Sequence, residues 1–152
     1  MKYIVFMYNV YKAIVMQKIT TLWIFCASLL ILIWYVTKPT IPLHPALVHI
    51  KERISFLNPK YGDIPLREGK SSYTENKSTI YICLRDPKSR KYYDINTLMY
   101  VSLHELAHVI SHQYGHGDEF KENFDKLLNY AETRGIYDRH IPMPKTYCGV
   151  EA

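Results

Sequence analysis

Hydrophobic and polar positions divide this 152-residue chain into one unbroken apolar block and a patterned remainder. From Ile19 to Val36 the sequence ITTLWIFCASLLILIWYV runs 18 residues without a charge, a proline or a glycine. At about 1.5 Å per helical residue it covers roughly 27 Å, close to the hydrocarbon thickness of a bilayer. Trp23, Trp34 and Tyr35 lie toward its ends, where amphipathic rings favour the interface, and Lys18 and Lys38 bracket it. A buried soluble helix keeps a polar stripe, and a cleaved leader has a shorter core followed by small residues. This run has neither feature. It reads as a single transmembrane helix over 19–36, with 1–18 as a basic, apolar flank of which 3–16 is apolar enough to lie against the membrane.

Beyond the block, the prolines of Pro39-Thr40-Ile41-Pro42-Leu43-His44-Pro45 fix φ and remove donors, predicting a stiff linker over 37–45. A folded domain over 46–152 follows. Leu47, Ile50, Ile54 and Leu57 recur at helical spacing within a helix over 45–57, which Asn58-Pro59 ends. Residues 61–77 are polar, punctuated by Gly62, Pro65 and Gly69, and are expected to hold little regular structure. Ser78 to Leu84 alternates and is rich in β-branched and aromatic residues, predicting a strand. A charged turn over 85–91 and a short return strand at 91–93 come next. Asn96 or Thr97 is expected to cap a long helix reaching about Tyr114, stopped by Gly115. Asp118 is expected to cap a last helix whose apolar face is Phe120, Phe124, Leu127, Leu128 and Ala131, closed by Gly135. The fold class is α+β: a few helices with a small sheet or hairpin, behind one N-terminal transmembrane helix.

Charge changes the picture of partners. The formal net charge is +5, which raises nucleic acid or an anionic membrane as candidates. Four of the 19 Lys+Arg lie in 1–38, where there is no acidic residue, leaving 15 against 14 Asp+Glu and a net +1 for the rest. The excess surrounds the apolar block, so the count supports a membrane and gives no support to nucleic acid. Lys2, Lys12 and Lys18 precede the span and Lys38 closely follows it, favouring a cytosolic N-terminus. Cys83 and Cys148 are free to pair if the domain faces an oxidising compartment, and without a CxxC there is no cysteine zinc knuckle.

The chemistry concentrates in His104-Glu105-Leu106-Ala107-His108, an HExxH segment on the predicted helix. Imidazoles four residues apart differ by about 40° around a helix and one turn along it, so both can address one ion. Zinc accepts such ligands and in catalytic sites keeps an open position for water, which the adjacent Glu105 is placed to deprotonate. Ser111, His104, His108, Val101, His112 and Glu105 fill one arc of the helix, opposite Leu98, Val109, Leu106, Met99, Ile110 and Leu103. The third ligand is expected from beyond the helix: His116, between Gly115 and Gly117, with Phe120 fastening the next helix to the core. His112 is the rival, but one further turn along a straight helix it recedes from an ion held by the first two. Tyr100, Tyr114 and Tyr137 are read as packing residues, and His44, His49 and His140 lack ligand spacing.

The string HELAHVISHQYGHGDEF resembles the signature of SprT/WLM-type zinc metallopeptidases, in which HExxH is followed by a helix break and a histidine in an HGxxF-like segment. The resemblance implies one Zn2+ held by His104, His108 and His116, Glu105 as general base, and a protein or peptide substrate. It also implies a small sheet whose edge strand holds an extended peptide, a part assigned to 78–84. Soluble members act in the nucleus on DNA-linked proteins; the apolar block and near-neutral domain of this chain do not carry that role over. The HExxHxxGxxH pattern is not met, since Ser111 and Tyr114 stand at its glycine and third histidine. A zinc-binding module without catalysis, and a DNA-associated protease, are the competing readings.

Overall fold

A computed structural model describes residues 2–37 and 42–151, which divide into two units, Met1–Pro42 and Leu43–Ala152. In the first, a continuous helix α1 spans Lys2–Thr37, so the flank before Ile19 is helical as well. Its stretch Ile14–Thr37 is long and apolar enough to cross a membrane, and the large apolar side chains there, such as Trp23, Leu30 and Trp34, are exposed. Thr20, Thr21, Ser28 and Thr37 each donate a hydroxyl proton to a carbonyl three or four residues back, at 2.7–2.9 Å. Of the expected linker, residues 38–41 lie outside the described residues.

The second unit begins with α2, Pro45–Leu57, whose four buried residues are Leu47, Ile50, Ile54 and Leu57. Pro45 occupies its first turn, where a missing N–H costs nothing, and His44 Nδ1 accepts from Ala46 N at 3.2 Å. Asn58 leaves the helix in extended backbone and starts a 3-10 turn, Pro59–Asp63.

Three short strands follow: β1 Leu66–Glu68, β2 Tyr73–Glu75 and β3 Thr79–Ile82. They form one sheet in the order β1-β3-β2, with β1 parallel and β2 antiparallel to β3. Two of these strands correct the expectation of little structure over 61–77. Three residues of mixed polarity carry almost no period-2 signal, and these strands are fixed by their pairing with β3. Gly69 permits part of this, because a Cβ there would lie 2.6 Å from Ser71 O and 3.1 Å from Tyr81 Cβ. Ile80 and Ile82 point into the core, while Tyr81 stacks on Tyr73 on the other face, centroids 4.6 Å apart. An isolated bridge between Arg85 and Tyr92 takes the place of the return strand.

Helix α3, Ile95–Ile110, packs Leu98, Met99, Leu103 and Leu106 into the core with α2 and the sheet. Its cap is Asp94 rather than Asn96 or Thr97: the Asp94 carboxylate accepts from Thr97 N at 2.9 Å and Thr97 Oγ1 at 2.6 Å. The helix also stops at Ser111, short of Tyr114. Helix α4, Asp118–Thr133, is capped by Gly117 rather than Asp118. It ends as expected at Gly135 (φ 63°), where Gly135 N returns to Glu132 O and Ile136 N to Ala131 O in a Schellman closure. A hairpin of β4, Thr146–Tyr147, and β5, Val150–Glu151, is fastened to the end of β3 by the Cys83–Cys148 disulfide, with Cα atoms 6.3 Å apart. The unit is α+β.

Candidate metal centre and cleft

His104 and His108 come from successive turns of α3, and His116 returns from the segment between α3 and α4. Their candidate ligand nitrogens all lie within 4.8 Å of one another, and His104 Nε2 is 3.0 Å from His116 Nε2. Zn–N bonds of about 2.0–2.1 Å in a tetrahedron separate ligand nitrogens by about 3.4 Å, so the spacing and the all-imidazole donor set fit zinc. Gly115 (φ 84°) makes the reversal possible, a backbone setting that side chains disfavour. Below the rings lies Phe120 from the first turn of α4, its centroid 4.9, 4.3 and 4.7 Å from those of His104, His108 and His116.

Burial favours the neutral form of His104 and His108. It is the main cause holding His104 down at about 4, with the charges of His108 and His116 adding to it. His108 is lowered too, by burial first, then by His116 and Lys77. A neutral imidazole is the form that binds a metal.

Glu105 is buried beside them. Thr74 Oγ1, on β2, lies 2.9 Å from Glu105 Oε2 and 2.8 Å from Glu105 O, able to donate its one proton to either. Burial raises the Glu105 pKa and the Thr74 hydrogen bond opposes the rise.

His112 is not brought to the cluster. Its side chain is 94% exposed, and Nδ1 lies 2.8 Å from Glu119 Oε1. The Glu119 carboxylate also accepts from the backbone N–H of His112 (3.0 Å) and Gln113 (3.1 Å), contacts that hold its pKa at about 2. From the other side Lys77 Nζ donates to the carbonyls of Ser111 (2.5 Å), His112 (2.5 Å) and Gln113 (3.0 Å). A cation on the carbonyls and an anion on the amides thus grip the strand of chain that leads to His116. Asn76 and Lys77 both adopt positive φ (49° and 52°) in the β2–β3 turn. That setting is tolerated by asparagine and uncommon for lysine, whose ammonium is repaid with three acceptors.

These groups line a cleft of about 410 Å³, floored by His104, Glu105, His108 and His116 and walled by Tyr73, Thr74, Lys77 and Tyr114. The bordering strand is β2. The expectation that 78–84 is the edge strand is corrected: β3 is paired on both sides, whereas β2 pairs only with β3 among the described residues. Thr74, Lys77 and Glu119 went unseen in the sequence. The one local signal was the polar Glu75-Asn76-Lys77-Ser78 segment before an apolar alternation, a hairpin turn in form.

An α+β domain with an HExxH helix, a third histidine after a helix break and a small sheet beside them is the arrangement of a zincin-like domain. The domain is similar to the crystal structure of Wss1 from Saccharomyces cerevisiae, with a TM-score of 0.51 and 21% identity, over 59% of this chain and 79% of that one. A Wss1 mutant structure gives a TM-score of 0.50 and 22% identity, over 60% and 82%. At such identity the likeness establishes the fold, which is WLM-like. In sequence the chain is similar to uncharacterized protein 042R of Invertebrate iridescent virus 3, 47% identical over 90 residues (59% of this chain, 57% of the relative). It is also similar to uncharacterized protein 136R of Invertebrate iridescent virus 6, 42% identical over 99 residues (62% and 56%). Uncharacterized protein R325 of Acanthamoeba polyphaga mimivirus is 41% identical over 88 residues (55% and 44%). The matches thus span about half the length of these curated relatives. No protein-family model matches the chain.

Proposed function

We propose that the chain is a membrane-anchored zinc metallopeptidase of WLM-like fold that cleaves protein or peptide substrates. The observation that carries the reading is the convergence of His104, His108 and His116 beside a buried Glu105, in a cleft bordered by an edge strand. The three imidazoles would hold Zn2+, which when bound polarises a carbonyl and acidifies water.

The chain's own residues supply the rest. Glu105 takes the proton of the attacking water on a carboxylate oxygen and delivers it to the leaving amine. Burial brings its proton affinity toward that of a working base, and Thr74 orients the carboxylate. The outer edge of β2 offers backbone donors and acceptors to an extended peptide laid along the cleft. Stretch Ile14–Thr37 anchors the domain at a membrane. The near-neutral charge of the folded part favours protein substrates without a nucleic-acid cofactor.

Glu105→Gln is the test. The variant is expected to bind stoichiometric zinc and to lose hydrolysis of an unfolded protein substrate. Cleavage at the wild-type rate by that variant would remove Glu105 from the mechanism, and full zinc loading with no chelator-sensitive hydrolysis in the wild type would reduce the site to a binding module.

A further inference from the structure

We propose that Asn76 is an N-linked glycosylation site and that the domain bearing it faces the oxidising side of the membrane, away from the lysine-rich flank of α1. Of the six asparagines in the chain, Asn76 alone begins an N-x-S/T triplet, Asn76-Lys77-Ser78. A triplet alone is weak, since it recurs by chance and is modified only in a compartment that holds the machinery.

Position and compartment add to it. Asn76 is exposed at the tip of the β2–β3 turn, and its side-chain amide makes no hydrogen bond among the described residues. The same domain carries the Cys83–Cys148 disulfide, a bond that persists on the oxidising side and is reduced in the cytosol. The charge pattern agrees independently: Lys2, Lys12 and Lys18 lie before the apolar block and only Lys38 closely after it, the bias of a segment whose leading end stays cytosolic. Sequon, disulfide and lysine bias select one orientation.

In the modification, the Asn76 amide nitrogen attacks the anomeric carbon of a lipid-diphosphate-linked oligosaccharide. A C–N bond forms, the C–O bond to the diphosphate breaks, and the nitrogen gives up one proton. Lys77, next in sequence, lines the cleft, so the glycan stands at its rim. The proposal rests on the membrane span and is independent of the zinc chemistry.

The test uses the full chain made in eukaryotic cells and recovered in microsomes. Carbonate washing should leave it in the membrane. Peptide N-glycosidase should give a discrete mobility shift in the wild type and none in Asn76→Asp or Ser78→Ala. The first variant keeps a residue type that accepts positive φ, and the second keeps Asn76 itself. Protease added to sealed microsomes should spare the domain. A membrane-retained wild-type band unmoved by the glycosidase overturns the glycosylation site, and digestion of the domain in sealed microsomes overturns the orientation. Release by carbonate removes the span, and the orientation with it, without touching the zinc reading.

Discussion

Lys77 Nζ sits 2.5 Å from the carbonyl oxygen of Ser111, the residue on which α3 ends. An ammonium at the carboxyl end of a helix satisfies carbonyls that the helix leaves unpaired and complements its dipole. This one reaches two further carbonyls and so defines the path toward His116. The hairpin turn between β2 and β3 is therefore a structural support of the metal centre.

Lys77→Met is accordingly expected to weaken zinc binding about 10- to 100-fold, the usual cost of losing an outer support of a metal site. Chelator competition reads this directly, and substitution with Co2+ should broaden the visible absorption bands if His116 becomes loose. Unchanged zinc affinity in Lys77→Met would mean that the segment holds its shape without the clamp.

The same clamp explains why part of the site was legible in the sequence and part was not. Leu47, Ile50, Ile54 and Leu57 declare α2 by spacing alone, because burial of one face decides that helix. His104, Glu105 and His108 are legible because their spacing is local to a single helix. The end of α3 is not. Ser111 and His112 continue the polar arc of the helix, and what turns the chain out over 111–113 is Lys77 and Glu119, arriving from other elements. β1 and β2 escaped notice for a related reason, since their order comes from β3 across the sheet and not from their own three residues.

Removing the hydroxyl of Thr74 tests the tuning of the base. Its hydrogen bond opposes the upward shift that burial imposes on Glu105. In Thr74→Val the Glu105 pKa should rise further, and the acid limb of kcat/KM should move to higher pH. A profile with an unmoved limb would assign that limb to another group.

The metal-free protein should carry the signature of buried neutral histidine. His104 titrates near 6.5 in an unfolded chain and at about 4 in the fold. Between those values the unfolded state binds the extra proton, so stability falls as pH drops through the window. Glu105 acts in the opposite sense, because its raised pKa lets the fold keep a proton that the unfolded chain gives up. In a Glu105→Gln background the loss between about pH 6.5 and about pH 4 should therefore be clear in denaturant midpoints, and adding His104→Phe should reduce it to the share that His108 contributes. Glu119, held at about 2 in the fold, keeps its grip on the His112 and Gln113 amides across that whole range, but the unfolded chain protonates it below its ordinary value of 4.5, so it steepens the loss at the acid end of the window.

The Cys83–Cys148 bridge closes a loop with a sequence separation of 65, which by chain entropy stabilises the fold by about 4 kcal/mol. Replacing both cysteines with serine should lower the thermal midpoint and loosen the β4–β5 hairpin. That hairpin also donates Tyr147 OH to Cys83 O at 2.6 Å, with Ser72 Oγ 2.8 Å away, just before β2. Amide exchange should accordingly quicken first at residues 146–151 and then along β2, while α2 stays protected. Uniform acceleration across the domain would show that the bridge acts on the whole fold and not on this edge.

Phe120 tests whether the floor of the site is shared by all three imidazoles. It lies against each of them and is buried to 5% exposure. Truncation to alanine should cost about 3–5 kcal/mol of stability through the cavity it leaves. Phe120→Leu refills most of that volume with a flexible aliphatic side chain and should return most of the stability. The two variants separate packing from ligand orientation. If Phe120 only fills space, Phe120→Leu should bind zinc like the wild type; if the flat ring sets the imidazole angles, zinc affinity should stay about tenfold low in Phe120→Leu although its melting point has recovered. We expect the second outcome, because the His108 ring lies only 32° from the plane of Phe120 while those of His104 and His116 meet it at 66° and 86°, a set of angles that a branched aliphatic chain does not impose.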